Sequence, residues 1–300
     1  MNVIETIGLS RTYGRNEALH ALDLQIDEGA TLALLGSNGS GKSTTIKLLM
    51  NRIQPTSGRA LVFGREARLL GPASLGRIGY VSEALQLPAW LSVRQYLDYC
   101  RSFYPLWDRA LEAELLGRFD LPPERRIKDL SRGMRMKVAL VSVLAYRPSL
   151  LVLDEPLSGL DPLVRDEFTR GLLTVASQEG CTTLIASHDI DDIERIVDQV
   201  ALLDAGHLHL NESLASLTTR HRRVEIGSGD RGRPALPGTM DWESSGQLTR
   251  FVATDYVPGR SEQAWRERFP GSEVTTLPLT LREIVLVSIR ALRAEPKGTP

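Results

Sequence analysis

Up to about Leu210, short apolar runs alternate with amphipathic stretches, which predicts an α/β architecture. Leu32-Ala33-Leu34-Leu35 reads as a buried strand ending in a Gly/Ser loop, Gly36 to Gly41, with a helix expected to follow through Leu48-Leu49-Met50. Leu150-Leu151-Val152-Leu153 reads as a second buried strand. Thr183-Leu184-Ile185-Ala186, with its β-branched residues, reads as a third. Val200 to Leu203, Asp204-Ala205-Gly206 and His207 to Leu210 together read as a hairpin. Between about Leu85 and Arg147 the texture turns helical, broken by a loop at Leu121-Pro122-Pro123. That stretch predicts a helical subdomain inserted between strands.

After about Ser213 the pattern changes again. Gly227 to Gly238 is rich in Gly, Arg and Pro and reads as a loop or linker. Leu248 to Val257 reads as a strand. Leu281, Ile284, Val285, Ile289 and Leu292 recur at helical spacing behind Thr280, a suitable N-cap. The expected organisation is a main domain over residues 1–215, with the helical subdomain at about 85–147, and a small α+β accessory domain over 216–300. No internal repeat is visible.

A chain of 300 residues accommodates one large domain and a small one. Its formal net charge of -1 gives no global reason to expect nucleic acid as a partner. No stretch approaches 18 consecutive apolar residues, so no transmembrane helix is expected. Met1-Asn2-Val3-Ile4-Glu5 lacks the basic-then-apolar order of a signal peptide. Cys100 and Cys181 lie far apart in no metal-like spacing and read as reduced core thiols.

Chemistry concentrates at two strand ends. Gly36-Ser37-Asn38-Gly39-Ser40-Gly41-Lys42-Ser43-Thr44 matches G-x-x-x-x-G-K-[ST] between an expected strand and an expected helix, the context this motif requires. Its glycines let successive backbone N–H groups converge on phosphate oxygens, and the following helix adds its positive end. Lys42 is placed to reach the β- and γ-phosphates, and Ser43 to bind Mg²⁺. The plain alternative is a Gly/Ser turn that merely starts a helix. Asp154-Glu155 follows the second strand directly. Ligands gather at such carboxyl ends in a parallel sheet, so Asp154 is expected near the Mg²⁺, and Glu155 as the base for an attacking water. The alternative for this pair is a solvated acidic strand end.

With these residues in view, the sequence over roughly 1–215 resembles ATP-binding subunits of the ABC transporter family. Leu130-Ser131-Arg132-Gly133-Met134 is similar to the signature of that family, usually L-S-G-G-Q, and opens a helix running through Val138, Val141 and Leu144. The resemblance implies a P-loop NTPase fold of ABC type and hydrolysis of ATP with Mg²⁺. It also implies a head-to-tail dimer with itself or a homologous subunit, in which Ser131 and Gly133 contact the nucleotide held by the other copy. Read alone, Ser131 is an N-cap. Ser158-Gly159-Leu160-Asp161 resembles the D-loop at the dimer interface, His188 the switch histidine that contacts the γ-phosphate, and Tyr13, placed ahead of the first strands, the aromatic residue that stacks on adenine. A structural His and a core-edge Tyr are the alternatives.

Three residues depart from the pattern. Glu83 stands where the family usually has a glutamine that helps hold Mg²⁺, and remains a candidate metal and nucleotide residue carrying an extra negative charge. Arg132 replaces a glycine and is expected to be solvated; Met134 replaces a glutamine. These variants, with Phe103-Tyr104-Pro105-Leu106-Trp107-Asp108, resemble exporter-type subunits. The resemblance further implies a separate transmembrane permease and a peripheral place on the cytoplasmic face of the membrane. Leu87, Trp90 and Leu91, in the helical insertion near Glu83, are the candidate docking surface, with ordinary packing as the alternative. A soluble ATPase acting on ribosomes or DNA is the second functional reading, supported by the basic cluster Arg125, Arg126, Lys128, Arg132, Arg135 and Lys137, which a solvated helical face also explains. A regulatory module that senses ATP without hydrolysing it is a third.

Overall fold

A computed structural model describes residues 2–227, 236–245 and 248–294, with side chains described throughout except at 173–179 and 294. The chain divides into two compact units, Met1–Asn211 and Glu212–Pro300.

The first unit opens with two long strands, β1 (Asn2–Tyr13) and β2 (Asn16–Asp27). β3 (Thr31–Leu35) leads through the Gly/Ser loop into α1 (Lys42–Leu49). β4 (Ser57–Val62), β5 (Arg65–Glu66), α2 (Pro72–Leu75) and β6 (Ile78–Ser82) follow. The helical region holds α3 (Val93–Arg101), α4 (Arg109–Arg118) and α5 (Arg132–Leu144). β7 (Leu150–Asp154), α6 (Pro162–Glu179), β8 (Thr182–Ser187), β9 (Gln199–Asp204) and β10 (His207–Ser213) complete it. The strands form two sheets, ordered β2-β1-β4-β5 and β10-β9-β3-β8-β7-β6.

Tyr13 is the last residue of β1, not ahead of the first strands. β2 buries Leu22, Leu24 and Ile26 and exposes the intervening Asp23, Gln25 and Asp27, a period-2 strand that the buried-run criterion passes over.

In the six-stranded sheet, β3, β8, β7 and β6 run parallel. Every residue of β3 and β8 is buried, as expected of strands covered on both faces. The register aligns their carboxyl ends: Leu35 pairs with Ser187, Asp154 with Ala186, and Ser82 with Asp154. Gly36, His188, Glu155 and Glu83 therefore leave the sheet along one edge. The core beneath it is built from Leu32, Leu34, Ile46, Leu49, Val152 and Leu184 with their neighbours. Cys181 is buried and free, whereas Cys100, on α3, is free but only half-buried, so it is not the core thiol expected.

The second unit contains α7 (Leu214–Arg220), β11 (Arg222–Gly227), β12 (Thr239–Ser245), β13 (Leu248–Ala253), α8 (Arg260–Arg268), β14 (Glu273–Pro278) and α9 (Leu281–Ala294). Its sheet is antiparallel, ordered β12-β13-β11-β14, over a core of Val224, Ile226, Phe251, Ala253, Trp265 and Phe269. β13 stops at Ala253, short of the expected Val257, because the backbone turns away: Thr254 N donates to Gly238 O and Tyr256 N to Arg220 O. Of the expected Gly227–Gly238 loop, residues 228–235 lie outside the described residues. α9 begins with a reciprocal cap: Glu283 N donates to Thr280 Oγ1 at 3.3 Å, and Thr280 N to Glu283 Oε2 at 2.9 Å.

Candidate functional site

The loop after β3 turns so tightly that a side chain cannot replace its first glycine. A Cβ at Gly36 would lie 2.3 Å from Leu203 O and 2.4 Å from Ser40 Oγ. The turn between β9 and β10 supports the loop from behind, with Gly206 N donating to Ser40 O at 3.0 Å. Ser40 is 1% exposed, and its Oγ has no hydrogen-bond partner among the described residues. α1 starts at Lys42 with neither a side-chain cap nor an acidic residue in its first turn. Its first N–H groups thus form a donor-rich helix start suited to an anion.

Lys42 is 5% exposed. Its ammonium donates to Gly36 O at 2.7 Å and Ser37 O at 3.2 Å, and lies 3.1 Å from Glu155 Oε1. Glu155 Oε2 lies 2.7 Å from His188 Nδ1 and accepts from His188 N at 3.3 Å. Glu155 adopts φ +53, an uncommon left-handed conformation for a residue with a side chain, at the point where the chain leaves β7. Sheet register thus joins Lys42, at the start of α1, with Glu155 and His188, just beyond β7 and β8, into one chain of contacts.

Ser43 Oγ donates to Asp154 Oδ1 at 3.2 Å. Burial pushes the Asp154 carboxyl above its ordinary value, with the Glu155 charge adding to this; the Ser43 hydrogen bond and Lys42 oppose it. Ser43, Glu83, Asp154 and Glu155 line a cavity of about 1180 Å³ together with Lys47, Arg52, Tyr80 and Arg132. Lys47, one helical turn beyond Ser43, was detectable from helical spacing alone. Arg52, whose guanidinium sits 5.5 Å from the Tyr80 ring, carried no local signal.

The remaining candidates lie apart from this cluster. Tyr13 is 42% exposed, with the Arg11 guanidinium 4.7 Å above its ring. Ser131 caps α5, its Oγ accepting from Met134 N at 3.1 Å. Gly133 is packed so that a Cβ would lie 2.6 Å from Val164 Cγ1. Asp161 caps α6, accepting from Val164 N at 3.1 Å. Asn38, Gly39, Gly41 and Thr44 belong to the loop and the start of α1, and Gly41 is the helix N-cap residue.

Three expectations need correction. Arg132 is not simply solvated: its Nη2 donates to Glu83 Oε1 at 2.5 Å. In the basic cluster Arg125, Arg126, Lys128, Arg132 and Arg135 are exposed, as a solvated face requires, but Lys137 is buried against Glu167. Leu87, Trp90 and Leu91 lie in the segment between β6 and α3 rather than on a helix, and Trp90 is 74% exposed.

Comparison with known proteins agrees with the fold of the first unit. The family described as ABC transporter matches residues 19–158. A bacitracin transport ATP-binding protein, BcrA of Bacillus licheniformis, is 31% identical over 237 residues, covering 78% of each chain. A daunorubicin resistance ATP-binding protein, DrrA3 of Streptomyces coeruleorubidus, is 32% identical over 251 residues, or 82% of this chain and 75% of that protein. Among solved structures, cbiO1 of Clostridium perfringens, part of the ABC transporter complex cbiONQ, superposes with a TM-score of 0.61 at 27% identity, covering 71% of this chain and 88% of that one.

Proposed function

We propose a full transport mechanism from one premise: the chain belongs to the ABC transporter family. It is an ATP-binding, ATP-hydrolysing subunit. The observation that carries the mechanistic reading is the cluster Lys42–Glu155–His188 beside the Ser43–Asp154 pair.

In this reading the triphosphate lies in the concavity of the loop, where its oxygens take the N–H groups at the start of α1. Lys42 exchanges its carboxylate partner for the β- and γ-phosphates. Glu155, released from the ammonium, accepts a proton from the attacking water, and His188 orients that carboxylate. The Ser43 hydroxyl and Asp154 carboxylate are hard oxygen donors that would hold Mg²⁺ beside the phosphates. Among the described residues no cluster of three or more His, Cys, Asp or Glu offers an all-protein metal cage. Mg²⁺ supplies neutralisation of the β,γ-phosphate charge.

Ser131 and Gly133 are assigned to the nucleotide of a second copy, which makes the working unit a head-to-tail dimer. Tyr13 is assigned to stacking on adenine, and Asp161 to the dimer interface. Among the described residues no helix is long and apolar enough to cross a membrane, and coupling is assigned to a separate transmembrane permease. Trp90, with Leu87 and Leu91, is assigned to docking on it, at the cytoplasmic face of the membrane. Relatives named for bacitracin transport and daunorubicin resistance favour export. Lys42→Ala tests the core of this reading: nucleotide affinity is expected to collapse, and unchanged ATP binding contradicts the assignment of the loop.

A further inference from the structure

Two departures from the family pattern meet in space. Glu83 leaves β6 with its N–H tied to Asp154 O at 3.0 Å, and its carboxylate takes the Arg132 guanidinium at 2.5 Å. Arg132 is the first residue of α5, immediately after the cap Ser131. A cation there opposes the helix dipole and is disfavoured when unpaired. A carboxylate in a cavity already holding Asp154 and Glu155 is disfavoured by like charge. Each residue removes the other's difficulty. The guanidinium is also confined on its far side: a Cβ at Gly159, where φ is +68, would lie 2.7 Å from Arg132 Nη1 and 2.9 Å from Cζ.

We propose that Arg132 is a positioning residue for Glu83: it holds the carboxylate at the start of α5, and the pair must open before Glu83 can serve as a ligand of the nucleotide's Mg²⁺. The proposal rests on the cavity being the Mg²⁺–ATP site. The two side chains are 51% and 41% exposed, and exposed pairs contribute at most about 1 kcal/mol, so a divalent cation can compete for the carboxylate.

The test is a Mg²⁺ titration of trinitrophenyl-ATP binding to the full chain, comparing the parent, Arg132→Gly, Glu83→Gln and the double variant. Nucleotide-free melting is recorded alongside. In the parent background Arg132→Gly is expected to lower the Mg²⁺ midpoint about two- to fivefold, the equilibrium effect of freeing a weakly held carboxylate. In the Glu83→Gln background the same substitution is expected to leave the midpoint unmoved. An equal shift in both backgrounds, or none in the parent, overturns the pairing. Should Arg132→Gly melt early, Arg132→Lys replaces it: loss of the planar fork must shift the midpoint the same way, and an unchanged midpoint refutes the proposal. A parent that binds no nucleotide defeats the site assignment itself; intact binding with additive shifts defeats the pairing alone.

Discussion

Replacing Glu155 with glutamine separates binding from turnover. The side chain is 14% exposed, with one oxygen 3.1 Å from the Lys42 ammonium and the other 2.7 Å from His188 Nδ1. Glutamine has nearly the same shape, and its carbonyl still accepts from the His188 backbone. What it loses is basicity. General-base contributions run to about 10²–10⁴-fold, or roughly 3–5 kcal/mol at about 1.4 kcal/mol per decade. Steady-state phosphate release should fall by that factor. Affinity for ATP should hold or tighten, because Lys42 no longer carries an internal anionic partner. A charge-assisted hydrogen bond exceeds a neutral one by about 1 kcal/mol, so up to about fivefold tighter binding is expected. Single-turnover phosphate release and equilibrium binding of a fluorescent nucleotide measure the two terms independently. Turnover within about threefold of the parent would remove Glu155 from the role of base. A large loss of affinity would instead show that the carboxylate holds the loop in shape.

Gly36→Ala forces a Cβ against Leu203 O and Ser40 Oγ, and is expected to cost about 1–3 kcal/mol, read as a fall of several degrees in melting temperature; an unchanged melt would mean that the turn yields freely. Asp154→Asn should raise the melting temperature of the nucleotide-free protein at pH 7 while weakening Mg²⁺-dependent nucleotide binding. The sign follows from its raised carboxyl: the folded state binds the proton more tightly than the unfolded chain, so the native residue loses stability as pH rises from the ordinary carboxylate value to the folded one. The gap between variant and parent should therefore close at low pH, and a parent that melts higher at pH 7 contradicts this. Thr280→Ala removes a reciprocal helix cap and should cost about 0.5–2 kcal/mol in the unfolding of the second unit; retention of the full melting temperature would contradict the capping role.

The central strands were legible because parallel strands covered on both faces read as unbroken apolar runs, as at Leu32–Leu35 and Leu150–Leu153. The same criterion passed over β1, whose pairing is broken by register shifts, and β2, which alternates, even though Leu22, Leu24 and Ile26 carried the period-2 signal. The loop and the acidic pair were legible as local motifs. Their meeting was not, because the contacts of Lys42, Glu155 and His188 depend on the register of β3, β7 and β8, which brings residues more than a hundred positions apart to one edge. Arg132 shows the other limit. As the first residue of a helix it reads as solvated, and only the neighbouring end of β6 reveals its partner.

The most direct test of the account is a structure of the Glu155→Gln variant bound to ATP and Mg²⁺. Two copies should face each other in opposite orientation. Ser131 and Gly133 of one should lie within hydrogen-bonding distance of a γ-phosphate that rests on Lys42 of the other. A nucleotide enclosed by a single chain, with both signature segments remote from either phosphate loop, would contradict it.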